Sequence, residues 1–394
     1  MESSARTRVY MDANATTPLL SQVVEAMHPF WMEHFGNASS VHLDGQTART
    51  ALDHARETLA EFFHCHQAEV IFNSGGTEGD NTALIGLARP GDHIITTSIE
   101  HSAILQAARR LAERGVEVTF VDPEPSGLIN PESIRAALRP NTRLVSVMLA
   151  NNETGVLQPV EAISKLAAEA GFFFHIDAVQ AAGKIPIDVR RIGCHLLSIS
   201  GHKMHAPKGV GAMYVRRGTP LEPLIVGGSH ERRRRAGTEN VPGIVGLAAA
   251  VKLALKSLDD GTWTRIAALR DRLEDELLAL PGTGLNGQHN GVPVPRAANT
   301  TNIWFDNLEG EALVIALDLK GVAVSGGSAC HSGATEPSHV LMAMGLSKTR
   351  ARASLRLSLL KTATDSDVDH VLRVLPEAVR QLRALSPVAA GTLA

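Results

Sequence analysis

The sequence predicts an α/β protein built from two domains. Short apolar runs alternate with helical segments along the first half of the chain, and this alternation is typical of a sheet covered by helices. Several runs are apolar on both faces, as buried parallel strands are. The chain has 394 residues, which exceeds the size at which a single core usually stops growing.

Each predicted element follows from these patterns. The predicted strands of the first half are 70–73, 93–97, 117–121, 144–149, 172–177, 196–200 and 211–215. The predicted helices between them include 77–87, 103–114, 131–138 and 160–170. From 241 to 280 the pattern is helical, with a break at Asp259-Asp260-Gly261.

The C-terminal part mixes strands at 301–305, 322–325 and 354–359 with a closing helix. In that helix apolar residues recur at helical spacing. Thr364 or Asp365 is suited to cap it, and Pro376 is expected to kink it. We therefore predict a large domain over 15–258, and a small domain from 1–14 and 259–394.

Composition excludes several classes of protein. The formal charge is −3 with both signs scattered, so no basic face for nucleic acid and no polybasic membrane patch is expected. The only dense basic run, 232–235, is interpreted as a solvated or interface loop. The polar start, 1–7, lacks the apolar core of a signal peptide, and Lys252 interrupts the apolar stretch 244–255. These features predict a soluble, cytoplasmic protein.

The three cysteines, Cys65, Cys194 and Cys330, favour a reducing compartment over a disulfide framework. Cys65 lies between His64 and His66, which suggests a metal site. The stronger interpretation is that there is none, because adjacent residues do not converge easily on one ion. Cys194 precedes an apolar run and is predicted to be a buried small side chain.

A phosphate site is indicated by the run SGGTE at 74–78, which follows a predicted strand and opens a helix. Backbone N–H groups at a helix start bind anions, and Thr77 adds a hydroxyl. By itself the signal is weak, because glycine-rich turns at strand–helix junctions are often only turns.

Two further strand ends carry complementary groups. Asp177 ends a predicted apolar strand, where it either caps the next segment or meets a cationic ligand. Lys203 follows another strand within Ser-Gly-His-Lys, where a desolvated amine can form an imine. A phosphate cup, an acidic partner for a ring nitrogen and an amine, in this order, are what pyridoxal phosphate needs.

Two residues of the C-terminal part have side chains that are suited to a chemical role. Cys330 lies in a run of small residues, SGGSACHSG, where a thiol is accessible, so a reactive role is favoured over a structural one. Arg356 alternates with apolar residues on a predicted strand. It suits bidentate binding of a carboxylate or a structural ion pair.

Ten ordered motifs spread over nearly the whole chain make the sequence similar to the NifS/IscS-type cysteine desulfurases, fold-type I pyridoxal-phosphate enzymes of the class V aminotransferase group. The motifs are YMDANATT (10–17), FGNASSVH (35–42), SGGTEGDN (74–81), IEH (99–101), NNETG (151–155), HIDAVQ (175–180), SGHKMHAPKG (200–209), GGSHERRRRAGTEN (227–240), SACHSGATEPS (328–338) and SLRLSL (354–359). The resemblance implies a large domain with a mostly parallel seven-stranded sheet and a smaller α+β C-terminal domain.

The resemblance also implies a role for individual residues. Lys203 would hold the cofactor, Cys330 would receive the sulfur, and His101 would stack on the ring and shuttle protons. Further cofactor contacts would come from Gly76, Thr77, Asp177, Gln180, Ser200, His202 and, reaching into the second subunit of a homodimer, Thr238. Asn152 and Arg356 would bind the carboxylate of L-cysteine. The implied products are alanine and a persulfide for an acceptor such as an iron–sulfur scaffold.

The chain departs from the family pattern at Ser229, Gly79 and Leu360, of which Leu360 has the greatest potential to alter the substrate pocket. Other activities stay open from sequence: a selenocysteine lyase or cysteine sulfinate desulfinase, a class V aminotransferase, or a catalytically silent partner subunit. Transamination needs no thiol, so Cys330 argues against the aminotransferase. The catalytic set, which is intact, argues against the silent subunit.

Overall fold

The structure is a computed structural model that describes residues 8–289, 291–326 and 336–385; the side chains of His289 and Pro293 are also left undescribed. Strands β1 to β8 are Val9–Tyr10, Val70–Asn73, His93–Thr97, Glu117–Val121, Thr142–Met148, Phe173–Asp177, Leu196–Ser200 and Gly211–Val215. Strands β9 to β15 are Thr283–Leu285, Gln288–His289, Val292–Pro293, Thr300–Phe305, Val322–Ala323, Ser325–Gly326 and Ser354–Ser358.

Helices alternate with the strands of the first half, as predicted. Helices α1 to α8 are Ser21–Met27, Pro29–Met32, Leu43–Phe63, Gly76–Leu87, Ser102–Ala112, Pro131–Ala137, Val160–Ala170 and Val189–Ile192. Helices α9 to α15 are His230–Arg233, Val241–Asp259, Thr262–Leu278, Gly310–Leu319, His339–Ala343, Lys348–Arg352 and Asp365–Leu385. Two short 3₁₀ turns cover Gln67–Glu69 and Gly201–Lys203.

A seven-stranded sheet forms the centre of the large unit, in the order β2-β8-β7-β6-β5-β3-β4. Strand β8 is antiparallel to both of its neighbours, and the other neighbouring pairs are parallel. The predicted α/β class and mostly parallel seven-stranded sheet are therefore confirmed. The central strands β6 and β7 are almost wholly buried, which is why their sequences are apolar on both faces.

A smaller antiparallel sheet, β14-β15-β12-β9, forms the C-terminal unit. The strand predicted over 322–325 is two short strands: β13 pairs with β1 near the N-terminus, and β14 pairs with β15. The pairing of β1 with β13 brings the start of the chain into the small unit. Thr364 rather than Asp365 caps α15, since its hydroxyl accepts from the Asp367 N–H at 3.3 Å. The helix continues through Pro376.

The apolar cores follow this division. One cluster contains Val9, Met11 and buried residues between Ile266 and Val379, while two others lie on the faces of the seven-stranded sheet. Helix α13 contributes Val340 and Leu341 to the core of the large unit. The boundaries at 14/15 and 258/259 stay a prediction.

Helix α10 is long and apolar enough, by length and composition alone, to cross a membrane. More than half of it is buried within the fold, where it packs on α1 and α3. Its apolar sequence is therefore accounted for by its place in the core.

Candidate active site

A cavity of about 290 Å³ lies where β6 and β7 end and the small unit approaches them. Asp177 is the last residue of β6, Ser200 is the last residue of β7, and Lys203 closes the following 3₁₀ turn. Neighbouring parallel strands end at the same edge of a sheet, and open α/β sheets bind ligands at that edge. The cavity is lined by Asn14, Ala15, Gly76, Thr77, Asp80, His101, Met148, Ala150, Asn152, Asp177, Val179, Gln180, Ser200, His202, Lys203 and Arg356.

The phosphate cup predicted at 74–78 lies on one wall of this cavity. Gly76 is the first residue of the twelve-residue helix α4, and Thr77 follows it. A Cβ atom on Gly76 would come within 2.6 Å of Val179 Cγ2, so the space is too small for any side chain there. The result is a helix start whose backbone is open to an anion.

Ser200 and His202 approach this cup from β7. The Nδ1 atom of His202 lies 3.1 Å from the hydroxyl of Thr16. Burial lowers the pKa of His202 to about 4, and the charges of Lys203 and Lys208 act in the same direction. His202 is therefore a neutral hydrogen-bonding group at neutral pH.

Asp177 is buried at the floor of the cavity. Its Oδ1 accepts from the Val179 N–H at 2.9 Å. Burial raises its pKa, while that hydrogen bond and the charges of His101 and Lys203 oppose the rise. A carboxylate in this setting is stabilised by a cationic ligand, as a protonated pyridine ring would be.

The amine of Lys203 reaches the opposite side, where Nζ donates to the carbonyl oxygens of Asn14 at 2.6 Å and Ala15 at 2.7 Å. His101 caps α5, and its Nδ1 accepts from the Ala103 N–H at 3.1 Å. Burial is the largest cause of the lowered pKa of His101. A neutral imidazole that accepts at Nδ1 carries its proton on Nε2.

Arg356 enters from β15 of the small unit and is almost fully buried. It donates from Nη1 to the Asn152 carbonyl at 3.0 Å and from Nη2 to Asp12 Oδ1 at 2.7 Å. Its Nε is buried without a hydrogen-bond partner among the described residues. The ion-pair and ligand-binding interpretations thus both have a structural basis, because Asp12 occupies one side of the guanidinium and Nε keeps a donor.

Asn14 is the residue at this site that sequence reasoning missed. Its backbone carbonyl accepts from both Lys203 Nζ and Gln180 Nε2, the latter at 2.8 Å. Its side-chain amide donates to the Asn152 carbonyl at 3.1 Å and to Thr300 Oγ1 at 2.9 Å. Asn14 thereby connects the Lys203 side of the cavity to the Asn152 side. Its presence in the motif YMDANATT was the only available signal.

A buried polar layer behind Asp177 was also missed. His175 lies between Ser146 and Ser198, with its ring nitrogens 2.9 and 3.0 Å from the two hydroxyls, and burial lowers its pKa to about 3. Asp80 and Glu100 are also buried, and for both carboxyls burial is the main cause of a raised pKa. His175 and Asp80 stand on β6 and α4, and Glu100 lies between β3 and α5. The sequences of these segments resemble those of ordinary core segments.

The structure thus brings ten of the predicted site residues around one cavity: Gly76, Thr77, His101, Asn152, Asp177, Gln180, Ser200, His202, Lys203 and Arg356. Thr238 is exposed and does not line the cavity. Cys330 lies outside the described residues. A helix start open to an anion, a buried carboxylate and an amine are the groups that the phosphate, the ring nitrogen and the aldehyde of pyridoxal phosphate require, so the residues present fit this cofactor in their chemistry.

The cysteines and histidines elsewhere form no site of this kind. Within 8–289, 291–326 and 336–385, no group of three or more His, Cys, Asp or Glu side chains is placed to hold a metal ion. Cys194 is buried, as predicted. Cys65 is partly exposed, and burial raises its thiol pKa to about 12, so it is a poor nucleophile.

Comparison with known proteins gives a consistent result. Residues 9–371 match the Aminotransferase class-V family. The cysteine desulfurase IscS of Methanosarcina thermophila is 47% identical over 390 residues, which cover 98% of this chain and 95% of that protein.

Solved structures extend the likeness to three dimensions. A NifS-like protein superposes with a TM-score of 0.88 at 36% identity, covering 95% of this chain and 100% of the other. A structure described as SspA in complex with cysteine superposes with a TM-score of 0.78 at 35% identity, covering 89% and 98% of the two chains.

Proposed function

Because the chain belongs to the class V aminotransferase family and is a pyridoxal-phosphate-dependent cysteine desulfurase, we propose that Lys203 holds its cofactor and Cys330 receives the sulfur. The observation that carries the Lys203 assignment is the convergence of the Gly76 cup, Asp177 and Lys203 on one cavity. Cys330 is assigned by the family motif SACHSGATEPS.

Bound in this cavity, the cofactor supplies an electron sink that stabilises negative charge at the substrate Cα. Asp177 favours a proton on the ring nitrogen, because a buried carboxylate is stabilised by an adjacent positive charge. Gly76, Thr77, Ser200 and His202 would hold the phosphate, and Gln180 would donate a hydrogen bond to the ring oxygen. Lys203 would be the base that removes the Cα proton of cysteine.

His101 assists at the ring face. Its Nδ1 is held by the Ala103 N–H, so Nε2 is the nitrogen with a proton to give. A neutral imidazole near a carboxylate and an amine can pass protons in either direction at neutral pH. We therefore assign His101 to stacking on the ring and to proton transfer.

Arg356 and Asn152 bind the substrate carboxylate. The buried Nε of Arg356 has no partner among the described residues, so a carboxylate that reached it would satisfy a donor whose burial is otherwise costly. Charge-assisted bonds of this kind fix the orientation of the Cα–H bond relative to Lys203.

The sulfur step needs a thiolate. Cys330 Sγ attacks the sulfur of the substrate, the C–S bond breaks, and its electron pair remains on the carbon, which takes a proton to become the methyl group of alanine. The new S–S bond leaves a persulfide on Cys330 for transfer to an acceptor. An iron–sulfur cluster scaffold is the acceptor class we propose.

We also propose that the enzyme is a homodimer. Thr238 is exposed and does not line its own cavity, which supports a contact with the cofactor phosphate of a second copy. Large apolar side chains lie exposed on two segments, a pattern that marks a protein interface. They are Trp31, Met32, Phe35, Val41, Leu43 and Val226. We further propose that the enzyme is soluble and cytoplasmic, where its free thiols at Cys65 and Cys194 remain reduced.

The cofactor assignment is tested by absorption. Protein loaded with pyridoxal phosphate should be yellow, and Lys203→Ala should lose the band of the lysine-bound cofactor. Lys208→Ala is the matched control, because Lys208 is exposed outside the cavity and its loss should leave the band in place. A colourless loaded wild type, or an unchanged band in Lys203→Ala, would refute the assignment.

The reaction itself is tested by product analysis. Cysteine should give alanine and protein-bound persulfide in equal amounts, and selenocysteine and cysteine sulfinate should be weaker substrates in competition. Preferred turnover of either competitor would replace cysteine desulfuration with the corresponding lyase or desulfinase activity. Sedimentation of the loaded enzyme should give twice the mass of the 41.9 kDa chain.

A further inference from the structure

A second lysine, Lys184, is buried beside the active-site lysine, with only 5% of its surface exposed. It follows Gly183, whose backbone is left-handed (φ of 72°). Lys184 does not line the cofactor cavity. A buried ammonium is costly unless it is paired, so its presence needs a reason.

The hydrogen bonds of Lys184 go to neutral groups of the site. Its Nζ donates to Gln180 Oε1 at 2.9 Å and to Asn14 Oδ1 at 3.1 Å. In the described part of the chain no carboxylate lies within ion-pair distance of this amine. Burial is the main cause that lowers the pKa of Lys184 to about 7, and the charges of Lys203 and Arg356 act in the same direction.

These contacts fix the amide of Gln180. Its Nε2 must face the Asn14 carbonyl, and its Oε1 must face the Lys184 amine, because the flipped amide would oppose oxygen to oxygen and nitrogen to nitrogen. The one N–H left on Gln180 is then the group available to the cavity, which Gln180 lines.

Lys184 and Lys203 also donate hydrogen bonds to the same residue, Asn14. Lys184 binds the side chain of Asn14, and Lys203 binds its backbone carbonyl. Two ammonium groups this close in a low-dielectric interior disfavour each other's charge. The neutral form of Lys203 is the one that can attach a cofactor or accept a proton.

We infer that Lys184 is a positioning residue for this reaction: it orients the Gln180 amide toward the cofactor and disfavours a proton on Lys203. The inference rests on the proposed role of Lys203. It assigns a function to a residue outside the cavity, and it accounts for a buried cation that has no acidic partner in the described ranges.

The other charged or titratable groups that the structure describes around Lys184 do not contact Gln180. Arg356 is already paired with Asp12. Burial lowers the pKa of His205 to about 4, so this neighbour is neutral. Lys184 and Lys361 both border a second, small cavity of about 20 Å³. Lys361 donates to Ser257 Oγ at 3.3 Å and not to Gln180. Lys361 is therefore a suitable control for the effect of a nearby amine alone.

The test is a pH titration of the visible absorption of the loaded enzyme without substrate. In Lys184→Gln and Lys184→Met the midpoint should move upward, by up to about one pH unit, because the positive charge that Lys184 carries below its pKa of about 7 has been removed. Lys184→Gln keeps a neutral donor, so Lys184→Met should in addition weaken cofactor binding through the loss of the Gln180 contact. Lys184→Arg keeps a positive charge, so its midpoint should not move upward. Lys361→Gln should move the midpoint by much less than Lys184→Gln.

Activity gives a second measurement. At a pH below the new midpoint, kcat/KM, which reports ionisations of the enzyme without substrate, should fall by up to about tenfold for each pH unit by which the midpoint has moved, and recover as the pH is raised. The KM for cysteine should change little, because Arg356 and Asn152 are untouched. A merely structural lysine would lower the melting temperature without moving the midpoint.

The role of Lys184 and the role of Lys203 are refuted by different results. A wild-type band that is present, with an unmoved midpoint in folded Lys184→Gln, overturns the role of Lys184 alone. A band that persists in Lys203→Ala overturns the role of Lys203 and this inference with it. If Lys184→Met does not fold, the Gln and Arg variants still decide the result.

Discussion

Arg56 and Glu231 form a buried bidentate ion pair, with both N–O distances at 2.7 Å and with only 6% and 3% of the two side chains exposed. Glu231 also accepts from the Phe72 N–H at 2.9 Å, just before the phosphate cup. On the other side of the cup, Arg235 donates to Glu78 at 2.9 Å. The segment that leads to Thr238 is thus attached on both flanks of the phosphate cup.

Glu231→Gln should destabilise the protein strongly. Glu231, Arg232 and Arg233 have φ values of 45°, 57° and 66°, a left-handed run that non-glycine residues adopt only when surrounding contacts hold it. Breaking a buried pair leaves an uncompensated charge and typically costs about 3–5 kcal/mol. Urea unfolding of the loaded enzyme measures the loss.

The exposed pair Arg49 and Asp53 offers the matched control, since both side chains are about half exposed. Arg49→Gln should cost between about 0 and 1 kcal/mol. Equal losses in the two variants would show that the Arg56–Glu231 pair does not hold the segment.

Cys330→Ser should still bind the cofactor and give its absorption, yet form no persulfide from cysteine. Serine cannot carry the sulfur, whereas cofactor attachment depends on Lys203. Alkylation of the persulfide followed by mass spectrometry measures the result. Cys65→Ser serves as the control, because the raised pKa of Cys65 makes it unreactive, and this variant should desulfurate normally. Wild-type desulfuration by Cys330→Ser would exclude Cys330 as the acceptor.

Arg356→Lys should raise the KM for cysteine by about tenfold or more, since a lysine cannot replace a planar fork that contacts Asn152, Asp12 and a carboxylate together. Steady-state kinetics with saturating cofactor measure the change. The lysine keeps a charge beside Asp12, so the fold should survive.

Arg296→Lys is the control that distinguishes a loss of substrate binding from a loss of structural stability. Only 7% of the Arg296 side chain is exposed, and it pairs with Glu274 in the small unit, away from the cavity. Arg296→Lys should lower stability while leaving KM unchanged. A KM that rises equally in both variants would mean that Arg356 acts through the fold rather than through the substrate.

Glu100→Gln should remove a pH dependence of stability. Burial raises the pKa of Glu100 to about 8, although hydrogen bonds from Thr97 and Met148 oppose the rise. An unfolded glutamate releases its proton at about pH 4.3. Between these values the folded protein keeps a proton that the unfolded chain has lost, so this group makes the free energy of unfolding fall as pH rises, by roughly 1.4 kcal/mol per unit.

Urea unfolding from about pH 5 to about pH 8 measures this slope, because that interval lies between the two pKa values. The slope should become more positive by roughly 1.4 kcal/mol per pH unit in Glu100→Gln. It should be unchanged in Glu25→Gln, whose side chain is exposed on α1. Identical slopes in wild type and Glu100→Gln would contradict the buried, protonated state of Glu100.

Local sequence patterns were enough to predict the α/β class and most strand and helix positions. They suffice because buried parallel strands must be apolar and their ends carry the polar groups of the site. Asp177 and Lys203 could be identified in this way from the sequence. The family motifs completed the set of ten residues around the cavity, gave Cys330 its role as sulfur acceptor, and added Thr238, which no local pattern explains.

The roles of Asn14, Lys184 and Glu231 became visible only in the folded chain. Asn14 contacts Gln180 and Lys203, and Glu231 contacts Arg56, each across a long stretch of sequence. Hydrogen bonds between such segments form only when the distance between donor and acceptor is correct to within a few tenths of an ångström. The folding of the whole chain sets those distances. Apart from the position of Asn14 in a family motif, an asparagine near the N-terminus and one lysine among many therefore give no sign, in sequence, of the groups that they position.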